Sequence, residues 1–506
     1  MKKIAFILMS LLLVACGDFD EINTNPDSTT SVTPEFLATN LILNITASSS
    51  NKAFLHDSWL MKSTGYTELM ENYVYNKFDR ADFGSYSQLI SADKMLKLVE
   101  EDKTRTEGEA NAFRGFNLFV QALTFYNETM ALGDVPCSES LKGESEGLFM
   151  PKYDTQEDVF YTILKDLEQS ADYFNKATTF KGDFVYNGDP NKWMRTVNSF
   201  TLRVLSMLSK KDKVKDIVVK NMFETVAQQP LIENEGTSLQ RTYSDKSSQR
   251  YPFYYEQNMF WVYPVMSSFL VNMMKDLNDY RLFYYAEPAV VLASNGESSF
   301  DAYSGVDPVM ENGRAQVECS EGKHSLINRR YHRVASCEPI KEIAYSEMQF
   351  VLAEAALNGW KTPLTAKEHY EKGVKAAMTF TAKYTPQAYT HGVAIDDAYI
   401  DAYLKGKAAF NANESKEVLM EKIFNQKYIA SFLQLAWNSY FDYRRTGFPK
   451  IPINPETNMN EVKTKMPVRW MYPESEYSVN RTNIEEAIKR QYNGSDTPND
   501  VMWLLK

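Results

Sequence analysis

Apolar side chains return every three or four residues through most of this chain, and that period admits α-helices packed on one another and little else. Ala112, Phe116, Phe119, Leu123 and Tyr126 form one stripe, Phe160, Ile163, Leu164, Leu167 and Ala171 a second, and Met348, Val351, Leu352, Ala355 and Ala356 a third. An α-helix takes roughly 3.6 residues per turn, so each set lines one face that must be buried against a neighbour. Helix starts are marked too. Thr155 with Asp158, Thr365 with Glu368 and Thr482 with Glu485 each place a hydroxyl three residues before a carboxylate, the reciprocal arrangement that caps a helix N-terminus. The expected fold class is mainly α. Ala366, Tyr370 and Gly373 sit at the spacing of a tetratricopeptide second helix, after an alanine-rich helix ending near Gly359, although the same small-large spacing suits any close-packed helical hairpin.

Between the stripes lie long stretches with turn chemistry: Gly133 to Lys152, Lys181 to Asn191, Thr242 to Pro264 and Ala286 to Asn328. Loops of that length are seldom mere connectors, so function is expected there. With 506 residues, the chain exceeds one ordinary core, but a helical array can run this long as a single unit.

The N-terminus reads as an export leader. Lys2 and Lys3 precede Ile4 to Ala15, in which only Ser10 is polar, and Leu13-Val14-Ala15-Cys16 ends that run on small residues before a cysteine. The run is too short for a bilayer core, which needs roughly 20 apolar residues, so residues 1–15 are expected to be a cleaved lipoprotein signal peptide and Cys16 the lipidated residue. Each buried methylene adds about 0.8 kcal/mol, and two or more chains hold a protein stably. Residues 16–34, rich in Asp, Asn, Thr and Ser, are expected to form a flexible tether, and 35–506 a single helical domain.

Composition excludes several function classes. The net charge of −11 argues against nucleic acid as a partner, because phosphate binding relies on basic surface. No H-E-x-x-H, Walker loop, dinucleotide fingerprint or EF-hand sequence is present. Gly143-Glu144-Ser145-Glu146-Gly147 fits the G-x-S-x-G nucleophile pattern but lacks the apolar strand that would expose its serine. Cys319, His324, His332 and Cys337 have the ligand types for zinc, yet their spacing is not that of a finger, and Arg329, Arg330 and Arg333 disfavour a cation. No catalytic residue, metal or cofactor is expected. After Cys16 three cysteines remain, Cys137, Cys319 and Cys337. An exported chain permits a Cys319–Cys337 disulfide worth about 3 kcal/mol, and the reduced pair is equally open.

Aromatic residues point to ligand contact, with 31 Tyr, 29 Phe and 7 Trp. The densest segment is Tyr251-Pro252-Phe253-Tyr254-Tyr255, followed by Phe260-Trp261 and Tyr263, with Tyr284, Tyr285 and Tyr303 further on. Prolines and the absence of a period argue for an irregular loop, where flat rings suit the C–H faces of sugars or peptide side chains and Glu256 and Asn258 supply orientation. The alternative is that the rings fasten the loop to the helical body.

At this level of detail the chain resembles the SusD/RagB-like family of nutrient-binding outer-membrane lipoproteins, in its starch-binding-associated branch. The resemblance rests on Asp18 through Pro26; Glu109-Ala110 through Ala122 leading to Gly133-Asp134-Val135-Pro136; Pro151 through Glu157; and Gly188-Asp189 with Lys192-Trp193. It continues through Asn198-Ser199-Phe200 with Leu202-Arg203, Tyr345 through Phe350 with Ala353-Glu354-Ala355, Gln426 through Ala430, Arg444 through Pro449, and Tyr472-Pro473 with Glu476 and Asn480. Two departures are Gly84-Ser85, where a bulky aromatic is common, and Met502-Trp503, where a tryptophan pair is common.

The resemblance implies four tetratricopeptide-like helix pairs as a scaffold, with irregular insertions building the ligand face. It also implies a partner, a SusC-type TonB-dependent outer-membrane transporter that such proteins cap as a lid. The expected function is capture of oligosaccharides at the cell surface, with peptide capture or a surface glycosidase as alternatives. Asp18, Asp20 and Glu21 fit the surface-export signals of such lipoproteins. Ligand-contacting aromatics are not motif positions in the family. The candidates therefore rest on this chain alone: Tyr254, Tyr255, Phe260, Trp261, Tyr263, Tyr284, Tyr285 and Tyr303, with Trp59, Tyr66 and Tyr73 added.

Overall fold

The computed structural model describes residues 32–506. The expected signal peptide, the lipidation at Cys16 and the tether up to residue 31 lie outside the described residues. The first helix, α1 (Pro34–Ile45), begins one residue inside the expected tether, with Thr33 accepting a hydrogen bond from Phe36 N and Pro34 at its first turn. The chain continues through α2 (Tyr86–Glu101), α3 (Glu107–Leu132), α4 (Gln156–Lys176), α5 (Pro190–Met207) and α6 (Val219–Val226). Then come α7 (Ser268–Leu277), α8 (Asn312–Ser320), α9 (Tyr345–Leu357), α10 (Ala366–Tyr384), α11 (Lys416–Ala430), α12 (Asn438–Thr446) and α13 (Arg481–Tyr492). Strands are few and short: β1 (Thr64–Tyr66) pairs with β5 (Pro264–Met266), β2 (Lys213–Val214) with β3 (Ile217–Val218), and β4 (Leu239–Arg241) with β6 (Ile340–Ile343), all antiparallel. The mainly α fold matches the expectation. No described helix is long and apolar enough to cross a membrane.

Two of the three marked helix starts hold. Thr155 accepts from Asp158 N at 3.1 Å, and Thr365 and Glu368 form the full reciprocal cap of α10. The third does not: α13 starts after Asn480, Thr482 lies within its first turn, and Glu485 pairs with Arg481 at 2.7 Å one turn earlier. Thr106 with Glu109, at the same spacing, caps α3.

Consecutive helices stack in pairs, and two glycines mark where their backbones come closest. A Cβ on Gly115 of α3 would lie 3.1 Å from Ser170 O of α4, whose hydroxyl donates to Gly115 O at 2.7 Å. A Cβ on Gly373 of α10 would lie 2.8 Å from the Phe350 ring of α9, so the Ala366-Tyr370-Gly373 spacing does serve a close-packed helical pair. A buried ionic junction binds the two halves of the scaffold. Arg203 of α5 donates to Glu347 of α9 at 2.8 Å, Arg445 of α12 to Glu354 of α9 at 2.8 Å, and Lys427 of α11 reaches Asp442 of α12 at 2.7 Å. Removing one partner of such a pair leaves an uncompensated buried charge, which costs about 3 to 5 kcal/mol.

Candidate functional site

One face of the molecule sets the partly exposed rings of residues 255–263 against two segments far away in sequence. The pairing of β1 with β5 sets Tyr66 opposite Pro264, and Thr67 N continues it to Tyr263 O at 3.2 Å, which brings the Tyr66 and Tyr263 rings to 5.6 Å. Before β5, the segment 250–263 is laid along residues 329–335 by Tyr251 N to Ala335 O at 2.7 Å and Tyr255 N to His332 O at 3.0 Å. Its root is apolar, with Tyr251 and Phe253 buried and the Phe253 ring stacked on Phe54 at 5.4 Å. Asn258 caps the single helical turn Met259–Val262 by accepting from Phe260 N at 3.1 Å, and that turn raises Phe260 and Trp261 towards solvent.

Trp261 lies flat on His332, 4.2 Å between ring centroids with 19° between planes, and the Arg333 guanidinium stands 5.3 Å from both the Trp261 and Tyr255 rings. Arg250 covers Tyr254 at 5.2 Å. On the other flank Lys52 lies 5.4 Å from the Tyr66 ring and 5.3 Å from Phe260. Burial, helped by the charge of Arg333, lowers the His332 imidazole to about 4, so it backs Trp261 as a neutral ring at neutral pH. The nearby carboxylates are engaged: Glu256 with Arg250 and with the Tyr255 hydroxyl at 2.9 Å, Glu68 with the Tyr66 hydroxyl at 2.6 Å, and Glu71 with Lys52. The arrangement offers flat, cation-backed rings with polar groups at the rim, which is chemistry for binding.

The candidate residues divide sharply. Tyr255 is 38% exposed, and Phe260, Trp261 and Tyr263 are half-buried beside the exposed Met259 and Val262. Tyr254 and Tyr66 lie just beneath, nearly covered. Of the remaining five, Trp59, Tyr284, Tyr285 and Tyr303 belong to the interior, and Tyr73 is half-buried among other rings. Trp59 is fully buried against Tyr66, and Tyr73 is pinned by Trp470, whose indole donates to its hydroxyl at 3.1 Å. Tyr284 donates to Val393 O at 2.8 Å, Tyr285 stacks on Phe432 at 4.6 Å, and Tyr303 donates to Glu297 O at 2.7 Å, all three covered. For these rings the correction has one physical reason: each is enclosed by chain that is distant in sequence. Asn258, expected to orient ligand, is buried and spends its amide on Asn51 O and Pro252 O. His332, Arg333 and Lys52, which shape the face, carried no local signal, because their ring partners lie in other segments.

Other sequence patterns dissolve in three dimensions. Cys137, Cys319 and Cys337 are free thiols, with Cys337 buried beside Arg330, so the Cys319–Cys337 bond does not form. His324 faces Glu318 at 3.1 Å while His332 lies under Trp261, and no cluster able to hold a metal occurs among the described residues. Gly143 to Gly147 spans a short solvent-facing helical turn, Lys142–Glu146, with no buried residue. A wider cavity of about 730 Å³ opens between α4, α5 and α6, but no aromatic side chain lines it.

Residues 26–473 match the SusD-like family described as starch-binding and associating with the outer membrane. No curated protein sequence matches the chain. Among solved structures, a SusD homolog from Bacteroides fragilis NCTC 9343 is 39% identical with a TM-score of 0.89, over 94% of this chain and 100% of that one. An outer-membrane protein of Bacteroides vulgatus ATCC 8482 linked to nutrient binding is 31% identical with a TM-score of 0.85 over the same shares. A chitin-binding protein shares the fold at 23% identity and a TM-score of 0.72, covering 94% and 100% of the two chains. The chain belongs to the SusD-like family of starch-binding proteins that associate with the outer membrane.

Proposed function

We propose that this protein is a non-enzymatic, cell-surface glycan-binding lipoprotein that captures an oligosaccharide on the face formed by Tyr255, Phe260, Trp261 and Tyr263. It hands its cargo to a SusC-type TonB-dependent outer-membrane transporter, and lipid on Cys16 holds it to the outer leaflet. The observation that carries this reading is the Trp261 ring, backed by neutral His332, flanked by Arg333 and open to solvent. A flat ring so presented takes the apolar face of a sugar, while the charged groups at the rim take its hydroxyls. The engagement of Glu256, Glu68 and Glu71 in ion pairs and hydrogen bonds favours binding over hydrolysis, which needs a general acid and a second carboxylate. Both signs of charge at the rim would also serve a peptide, so the titration includes short peptides.

Calorimetry of the soluble protein against neutral oligosaccharides, starch and chitin fragments among them, tests the reading. Saturable binding to one glycan, weakened in Trp261→Ala, is expected. Binding to peptides alone would replace the cargo class, and turnover of a bound oligosaccharide would overturn the non-enzymatic assignment. Co-purification with a transporter, lost in Cys16→Ala, tests the partner and the anchor.

A further inference from the structure

On the opposite pattern of chemistry, a cavity of about 350 Å³ lies where the flank of α10 meets residues 234–236 and Tyr345. Its helical wall carries Lys372, Lys375 and Lys383, with Thr379 between them, a spacing of three and four residues that puts all three ammonium groups on one side. Three lysines thus meet on one wall of a cavity in a chain of net charge −11. The one acid in the lining, Glu235, is consumed internally: it accepts from Lys341 at 2.7 Å, from Ser346 N at 3.0 Å and from the Ser346 hydroxyl at 2.9 Å. Lys375 has only Asp397, 81% exposed on its side chain, as partner, a pair that contributes little in water. Among the described residues, neither Lys372 nor Lys383 has a carboxylate within salt-bridge distance; Lys383 instead lies 4.9 Å from the Tyr384 ring.

Three rings join the lysines in the lining. The Phe380 and Tyr384 rings lie 4.9 Å apart with their planes tilted by 53°, Phe380 largely covered, and Tyr345 closes the side. An inorganic anion would use the lysines and leave the rings idle, and a purely apolar molecule would do the reverse. A sugar ring bearing a negative group uses both, its C–H face on tyrosine and its anion on lysine. The volume stands at the small end of ligand pockets, which start at roughly 300 Å³.

We propose that this cavity is a second binding site, specific for an anionic saccharide, one carrying carboxylate, sulfate or phosphate. It is built from segments that do not contribute to the Trp261 face and does not depend on what that face binds. The same chemistry has two sources near an outer membrane, a charged residue in soluble glycan and the phosphorylated sugar headgroup of a glycolipid.

The test titrates the soluble chain with a glucuronate-containing oligosaccharide, a neutral glucose oligomer of equal length, inorganic phosphate, and vesicles containing lipid A. In the Trp261→Ala chain, where the neutral-glycan face is disabled, the acidic oligosaccharide or the lipid A vesicles should bind about tenfold more tightly than the neutral oligomer, and Lys372→Gln with Lys383→Gln should remove about that factor. Tyr384→Ala should weaken the same interaction by roughly fivefold, as expected for one stacking ring. Trp261→Ala should leave it unchanged, which separates this site from the neutral-glycan face. Response to the soluble acid assigns the site to cargo; response to vesicles alone assigns it to the membrane. In the Trp261→Ala chain, equal binding of the neutral oligomer, equal binding of inorganic phosphate, or indifference to the double lysine change would overturn the proposal.

Discussion

Two ring-bearing regions, 251–263 and 280–303, have opposite fates. In the second, Tyr280 stacks on Tyr399 at 3.9 Å, Tyr284 is bonded to Val393 and Ile395, Tyr285 lies on Phe432, and Tyr303 packs against Phe283. The segment 391–403 covers Tyr280, Tyr284 and Tyr303, and Phe432 covers Tyr285. In the first, residues 329–335 run beneath and nothing described lies above, so Tyr255, Phe260, Trp261 and Tyr263 keep an open side. Aromatic density thus marks a loop that must be anchored or must bind; the neighbour that arrives in the folded state decides which. The histidines repeat the contrast. His332 under Trp261 is held neutral by burial. His391, packed onto the second region, is raised despite burial, because Glu287 and Phe283 O accept from it, and Glu287 is itself lowered to about 2 by His391 and Arg329 against the opposing effect of burial.

The contrast is most severely tested at Asp279, which anchors the second region. Its carboxylate accepts from the fully buried Arg281 at 2.9 Å and from the Tyr403 hydroxyl at 2.8 Å. Asp279→Ala should lower the unfolding free energy by about 3 to 5 kcal/mol in urea titration, while the folded fraction keeps its glycan affinity. Acid comes next. His332 titrates near 6.5 when unfolded and near 4 when folded, so its contribution to stability is complete above pH 6.5 and is lost as pH falls towards 4, by roughly 3 kcal/mol. His391, raised on folding, has the opposite sign: its contribution is complete below pH 6.5 and disappears as pH rises through its folded value. Unfolding measured from pH 7 to 4.5 should therefore fall less steeply in His332→Asn than in the parent chain and more steeply in His391→Gln.

Smaller effects belong to the open face. Trp261→Ala should weaken glycan binding by about 1 to 3 kcal/mol in calorimetry without changing helical content. Tyr285→Ala, by contrast, should cost stability and leave affinity alone; equal loss of affinity in both would erase the distinction between the two regions. Arg333→Ala, which removes the cation beside Tyr255 and Trp261, should weaken binding by about 0.5 to 1 kcal/mol.

The residues that carried the family resemblance explain why the fold was legible and the site was not. Arg203, Glu347, Glu354, Lys427 and Arg445 all belong to the buried ionic junction. Trp193 is fully buried, Asp134 pairs with Arg490, Gln156 donates to Thr129 O, and Asn480 donates to Pro151 O. These are scaffold positions, each fixed by a specific partner within the helical body. The ring face has no such positions. Its candidates could be gathered from composition, but Trp59, Tyr73, Tyr284, Tyr285 and Tyr303 were indistinguishable in sequence from Tyr255 and Trp261, since each sits in a segment without a clear period.

The sequence alone determined the helical period, two of the three marked helix starts and the close approach at Gly373, because these depend on residues within one helix or one hairpin. Only the tertiary structure decided which rings face solvent, that His332 underlies Trp261, and that three lysines of α10 surround a cavity with Tyr345. Exposure and charge surroundings are set by what comes to rest alongside a segment, and those neighbours lie tens to hundreds of residues away along the chain.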